Sequence, residues 1–320
     1  LDHVGVSFVK VEGMRERMVC RAPAASLTQS HAQSGQARCT GTPCPGQRRL
    51  FVVPAMHTGS ARPRVIALHA SASSSQQWQA LRLRLGANYD VVAPDLIGHR
   101  RSAAWSGPRP SALVDDAGQI AAMVPGAGCL VGHSFGGVVA LQAALGVARH
   151  VRSLVLYEPV LLASLGAQGP LTPQQQRVFE VADGMRRAVA SRELAAAAHT
   201  FVDYWSGDGT WERMEATARA TVAQRMPMVA GHFGSITTAH DLARGLGSLS
   251  APTLLLCGSE TTAAARCMTE RVAASLPNAR LVLVPGDVAV VRPEERRVGK
   301  ERVGACIYRT SPYHQKKHSN

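Results

Sequence analysis

The 320-residue chain is short of acidic side chains, of aromatic rings and of long apolar runs. Twenty-two Asp and Glu stand against 35 Lys and Arg, leaving a formal charge of +13. Such an excess suits a polyanionic partner only where it gathers on one folded face. Here it does not. Residues 1–64 hold nine basic and three acidic residues, residues 292–320 hold eight and three, and residues 65–291 hold eighteen Arg against sixteen acids. The excess lies on the flanks, so no nucleic-acid partner is expected. No run of about 18 apolar residues occurs, so no membrane-spanning helix is expected either. Of the seven cysteines, Cys39 and Cys44 lack the second pair that a zinc site needs, and neither metal nor cofactor is expected. Cys129 and Cys257 sit in apolar runs and read as small buried hydrophobes in a reducing, cytoplasmic setting. Leu1 stands where an initiating Met would, and no apolar signal core follows. That reads as a fragment or a reading frame extended upstream.

What is present is alternation. Hydrophobic residues make up 46% of the chain, enough for a sizeable core. Residues 1–61 are rich in Ser, Gln, Gly, Ala and Pro and read as a poorly ordered flank, with a first strand possible at 50–53. From residue 62 short apolar strands alternate with helices. Strands are expected at Arg64–His69, Tyr89–Pro94, Gly128–Gly132 and Val151–Tyr157, with helices around Trp78–Leu85, Leu113–Met123 and Val138–Leu145. The spacing predicts a mostly parallel, doubly wound α/β sheet. The rhythm breaks over 161–249, where helices are expected at Gln174–Val189, Arg192–Trp205 and Trp211–Met226. It resumes with Thr253–Cys257, a helix over Thr262–Leu276 and a strand over Arg280–Val284. The core is therefore expected at 62–160 and 250–291, with a helical lid between them over the sheet's carboxyl edge, where open α/β sheets bind ligands.

The most informative segment is Gly132-His133-Ser134-Phe135-Gly136. It places Gly-x-Ser-x-Gly between an expected strand and an expected helix. A tight strained turn there lifts the serine into the cleft, and the two glycines leave room for it. The helix behind the turn favours developing negative charge at its N-terminus. His133 points away from Ser134 in such a turn and reads as a packing residue.

Four stretches in order carry a family likeness: Leu68–Ser71, Val92–His99, Leu130–Gly137 and Ala251–Leu256. The chain resembles, over roughly 62–286, the serine-nucleophile branch of the α/β-fold hydrolases, in the broad group of esterases, peroxidase-like enzymes and C–C hydrolases. The resemblance implies Ser134 as nucleophile and an oxyanion hole from the backbone N–H groups of Phe135 and Ser71. Two departures stand out: Ala70 and Arg100 occupy positions where the family usually has Gly. The family's usual acid follows the Thr253–Cys257 strand, but Gly258–Thr262 holds no Asp, which leaves Glu260 there as the alternative. Glu158, at the end of the Val151–Tyr157 strand, is the first choice for the triad acid. Its competing role is an ion pair with Arg186 or Arg187.

The triad base is missing from its place. The family's His follows the last strand, and Pro285-Gly286-Asp287-Val288-Ala289-Val290-Val291 contains none. The catalytic His is therefore unknown, and His232 and His240, in or near the lid, complete a triad only by chance. Residues 292–301 resemble in-frame sequencing-adapter read-through, Arg-Ser-Glu-Glu-Arg-Arg-Val-Gly-Lys-Glu, with only Pro293 different. Residues 65–291 contain no Lys, whereas the tail carries Lys300, Lys316 and Lys317. Residues 292–320 are thus expected to be a non-native tail. The expected function is hydrolysis of a small ester-like or acyl substrate, impaired in this copy by the absent His. The alternative is a non-catalytic binding protein for a small molecule. Substrate and oligomeric state stay open.

Overall fold

The computed structural model describes residues 62–100, 102, 113–124, 128–168 and 170–285. The possible strand near 50–53, the flank 1–61, residues 286–291 and the tail 292–320 lie outside them. Six strands form one parallel sheet: β1 (Arg64–Leu68), β2 (Asp90–Val92), β3 (Cys129–His133), β4 (Ser153–Tyr157), β5 (Thr253–Gly258) and β6 (Ala279–Val284). Their order is β2-β1-β3-β4-β5-β6. The doubly wound α/β architecture read from the sequence is the one observed.

The inner strands behave as parallel strands covered on both faces should, while β2 and β6 at the edges are only partly buried. Val65, Ile66, Ala67 and Leu68 of β1 are all buried, as are Leu130 and Val131 of β3 and Leu154 and Leu156 of β4. Each Leu or Ile so buried contributes about 1.5–3 kcal/mol. Helices α1 (Gln79–Leu85), α2 (Leu113–Met123) and α3 (Phe135–Gly146) connect the first four strands. α3 is apolar nearly all round, and Phe135 to Leu141, Ala143 and Ala144 are buried, as such a helix must be. The chain leaves β1 toward β2 on one side and returns to β3 on the other. The loops after β1 and β3 therefore diverge at a topological switch point.

Between β4 and β5 the described residues hold helices and no strand: α4 (Pro173–Ala190), α5 (Leu194–Ser206), α6 (Thr210–Arg213), α7 (Ala216–Thr237) and α8 (His240–Gly245). α4 begins at Pro173, one residue before the expected Gln174. Thr172 and Gln175 form a reciprocal capping box, with Pro173 in the first turn. The expected helix Trp211–Met226 is corrected. It breaks at Met214 and Glu215, both extended, and α7 then runs on through Pro227 to Thr237. An interior proline typically costs about 3 kcal/mol. Here Met226, Val229, Ala230, Phe233 and Ile236 are buried on either side of it, which offsets that cost. α9 (Ala263–Ser275), capped by Thr262, then connects β5 to β6.

Candidate active site

Ser134 stands between the last residue of β3 and the first of α3, with φ 53° and ψ −119°. A non-glycine residue in that region is strained and is held there by its surroundings. The two glycines supply the room. A Cβ on Gly132 would lie 2.5 Å from the Gly136 carbonyl oxygen, and one on Gly136 would lie 2.5 Å from those of Leu68 and His69. The Ser134 N–H donates to the Tyr157 carbonyl at 2.9 Å, tying the turn to the end of β4. Its hydroxyl does not cap α3, and the residue is only half-buried.

Ser71 lies in the loop after β1 and is buried. Among the described residues neither its N–H nor that of Phe135 has a hydrogen-bond acceptor. The loop is firmly built. Ala70, in place of the usual Gly, is fully buried, and its N–H donates to Gln77 Oε1 at 3.0 Å. Ala72 carries a positive φ of 59°, and its carbonyl accepts from the Arg225 guanidinium on α7. Asp95 accepts from the Ser75 N–H at 2.7 Å and anchors the loop's far end. Arg100, the second departure from the family pattern, has φ 43°, which explains why that position suits Gly.

Glu158 directly follows β4 and is buried, with φ 41°. One carboxylate oxygen accepts from the Gly258 N–H at 2.8 Å and the other from the Thr261 hydroxyl at 3.0 Å. The acid after β4 thus reaches the loop after β5, where the family's usual acid would sit. Glu260, in that loop, is exposed. Arg186 pairs with Asp183 on its own helix. Register places Glu158 beside the elbow, since His133 pairs with Tyr157 and Ser134 and Glu158 come next.

Four histidines surround the elbow and all are buried. His133 turns away from Ser134, with Nδ1 2.8 Å from Gln77 Nε2. Burial and the nearby His69 push its pKa down to about 4. His69 accepts the Leu96 N–H on Nε2 at 3.0 Å, which assigns Nδ1–H to the Ala70 carbonyl at 2.8 Å. Burial lowers its pKa to about 4. His99 stands edge-on to His69 at 4.5 Å, and burial together with His69 lowers it to about 3. His232, from α7, stacks on the Phe135 ring at 3.7 Å and on His99 at 5.3 Å. Its Nδ1 lies 3.0 Å from the Ser71 hydroxyl, and burial holds it well below the usual histidine range. His240 is exposed at the start of α8. Sequence reasoning placed His232 in the insertion without its partners, because 161 residues separate it from Ser71. Position 286 onward, where the family's base would follow β6, lies outside the described residues.

Chemically, the arrangement offers a strained serine at a helix N-terminus, two backbone donors on neighbouring loops and a hydrogen-bonded buried carboxylate. No cluster of metal-binding side chains occurs among the described residues. None of the described helices is long and apolar enough to cross a membrane.

Known proteins agree with this geometry at the level of family. The model of the alpha/beta hydrolase family matches residues 65–295, running past Gly286, where the likeness had been expected to end. A lipase of Mycobacterium tuberculosis is 32% identical over 134 residues, which are 39% of this chain and 44% of that protein. An esterase of the same organism is 30% identical over 155 residues, 46% of this chain and 51% of that protein. The chain thus spans about half the length of these relatives. A pimeloyl-[acyl-carrier protein] methyl ester esterase of Edwardsiella ictaluri is 25% identical over 240 residues, covering 72% of this chain and 88% of its own. Among solved structures, an alpha/beta hydrolase enzyme from a Medee basin deep-sea metagenome library superposes with a TM-score of 0.58 at 18% identity, over 72% of this chain and 83% of its own. The sheet order, the elbow between β3 and α3 and the family match over most of the chain lead to one assignment: the chain belongs to the alpha/beta hydrolase family.

Proposed function

We propose that the chain is built to hydrolyse a small ester-like or acyl substrate with Ser134 as nucleophile. The observation that carries this reading is the conformation of Ser134, φ 53° and ψ −119°, at the carboxyl end of β3 and the start of α3. In this reading Ser134 Oγ bonds to the acyl carbon as its proton passes to a base, the leaving group departs with that proton, and water then cleaves the acyl-serine. The N–H groups of Phe135 and Ser71 receive the negative charge on the former carbonyl oxygen, aided by the N-terminus of α3. Glu158 is the acid that would orient a base. That base is what the sequence of Asp287–Val291 does not supply, so turnover is expected to be poor. Loss of one triad member leaves a deficit of roughly 10⁴- to 10⁶-fold.

A second reading, a binding protein that does not turn over its ligand, rests on the same missing histidine. One experiment separates them. Fluorophosphonate labelling and p-nitrophenyl acetate hydrolysis are measured on the chain, on Ser134→Ala and on a version with a Gly-x-Gly-His loop and closing helix in place of Asp287–Val291. Slow labelling confined to Ser134, with turnover rising by about 10³-fold or more on restoration, supports the hydrolase. A folded restored protein with no gain supports the binding protein.

A further inference from the structure

The two residues whose backbone N–H groups are assigned to the oxyanion hole both touch, through their side chains, one side chain of the helical insertion. His232 Nδ1 lies 3.0 Å from the Ser71 hydroxyl, and its ring lies flat on Phe135, 3.7 Å between centroids with the planes 7° apart. Two turns earlier on the same helix, Arg225 holds the Ala72 carbonyl. Residues seven apart share one helix face, so α7 grips the Ser71–Ala72 loop at two adjacent points. That loop needs a grip. Ala72 has a positive φ, and nothing in its sequence forces that conformation as glycine would allow it.

The ring at 232 does more than fill space. Its Nε2 is buried without a hydrogen-bond partner among the described residues. An unpaired buried nitrogen is unfavourable. A phenylalanine would stack on Phe135 without that penalty, so the imidazole is explained by its bond to Ser71 and not by packing.

We propose that His232 is a positioning residue for the oxyanion hole, holding Ser71 through its hydroxyl while covering Phe135, so that docking of α7 and assembly of the hole are one event. The inference rests on the serine-hydrolase reading. In that reading the Ser71 N–H aims at the oxyanion only while its hydroxyl is held. If α7 lifts, the strained loop relaxes and one donor leaves.

The test uses the full chain with His232→Phe, His232→Asn, Ser71→Ala and the His232→Phe/Ser71→Ala double variant. His232→Phe keeps the stacked ring and removes the hydrogen bond. His232→Asn keeps a polar atom near the place of Nδ1. Ser71→Ala keeps the backbone donor. Labelling of Ser134 and kcat and KM for p-nitrophenyl acetate are measured. Misplacing one donor should lower the labelling rate and kcat by roughly 10- to 100-fold with KM changed less than about 3-fold. His232→Asn should recover most of the loss. The double variant should be no worse than either single one, because both break the same bond. An unchanged rate in His232→Phe, or losses that multiply in the double variant, overturns the proposal. Backbone amide exchange decides the matter without activity. If Ser134 labels in none of these variants, which lack the base, the brace is judged by exchange alone and the hydrolase reading by the restored loop. His232→Phe and Ser71→Ala should each speed exchange over 70–73 while β1 and β3 stay protected. Unchanged exchange there refutes the brace.

Discussion

The carboxyl ends of β1 to β4 differ from that of β5. Each of the first four strands is followed by a loop carrying a non-glycine residue with positive φ: Ala72, Arg100, Ser134 and Glu158. The loop after β5 holds none. Strain of this kind persists only where surrounding structure imposes it. The first group includes the residues proposed as nucleophile, oxyanion loop and acid. The loop after β5 is where the family's usual acid would sit, and there the chain departs from the family. Within the first group, Ser134 is held by backbone geometry, through Gly132, Gly136 and the Tyr157 carbonyl, whereas Glu158, the proposed acid, is also secured by its carboxylate on the loop after β5. The two halves should therefore break differently.

The largest expected effect is on stability in acid. His69, His99, His133 and His232 are buried and neutral, and all belong to the strained side or to the helix covering it. Their folded pKa values are depressed, to about 4, about 3 and about 4 for the first three. In the unfolded chain they titrate near 6.5. Between that pH and about 4 the unfolded state binds more protons, so stability falls as pH falls, by roughly 1 kcal/mol per pH unit for each of those three, and His232 acts in the same direction. Asp116 opposes this. Its carboxyl accepts from the Ile97 N–H, and burial raises its pKa to about 6. Its folded pKa is raised, so it favours folding below about 4 and loses that contribution as pH rises through 6. One carboxyl does not balance four imidazoles. Unfolding free energies from urea titrations between pH 7 and pH 4.5 should fall steeply, by several kcal/mol in all. A flat profile would mean that these rings are protonated in the fold.

Next comes the elbow. An alanine at 136 would press its Cβ on two backbone carbonyls at 2.5 Å, and neither β1 nor the following residue can give way cheaply. Gly136→Ala should cost about 3 kcal/mol or more and abolish Ser134 labelling. Gly184→Ala, in α4, is the control. Its Cβ meets no atom within 4 Å, and it should be neutral or stabilising.

These two regions also explain how far the sequence could be read. The sheet, its parallel sense and the elbow were legible because each rests on local pattern: apolar runs such as Val65–Leu68, and Gly132 and Gly136 flanking Ser134. The strain at Arg100 was marked by a residue standing where glycine is usual. The strain at Ala72 carried no such mark. What the residues could not reveal rests on contacts between distant segments. Glu158 and Glu260 were distinguishable as strand-end and loop acids, but only the fold shows one buried on Gly258 and Thr261 and the other exposed. His232 meets Ser71 across 161 residues, and no local periodicity encodes that meeting. The break at Met214 was missed because α6 and α7 together keep enough helical spacing to read as one element.

A milder effect tests the acid. Glu158→Gln keeps an oxygen for the Gly258 N–H and leaves the Thr261 hydroxyl a partner, so the protein should fold with its melting temperature within a few degrees of the parent. In the version with a restored histidine loop it should lower kcat by roughly 10²- to 10⁴-fold. Glu260→Gln, on the exposed side chain, should leave kcat within about 2-fold. The reverse pattern would move the acid to the β5 side and undo the division drawn between the two groups of strands.

The smallest effect asks whether strain at the sheet edge differs in kind from strain elsewhere. Arg192 is the one remaining described non-glycine residue with positive φ, at 61°, and it is exposed just past the end of α4. Its N–H donates to the Val189 carbonyl and the Glu193 N–H to that of Ala188, at 3.0 and 2.8 Å, the Schellman pattern in which glycine is the preferred residue at this position. Arg192→Gly removes a left-handed penalty of about 1–2 kcal/mol and adds the entropy glycine loses on folding, for a net gain of about 0.5–1 kcal/mol. The melting temperature should rise by about 1–4 °C, with Ser134 labelling unchanged. Ala72→Gly relieves a similar φ, but it also removes a buried methyl worth about 0.8 kcal/mol. Stability should therefore stay within about 0.5 kcal/mol of the parent, while labelling slows by about 3- to 10-fold because a glycine lets the Ser71 donor wander. If both glycines leave labelling untouched, the strain beside Ser71 does nothing for the site, and the two groups of strands differ only in their angles.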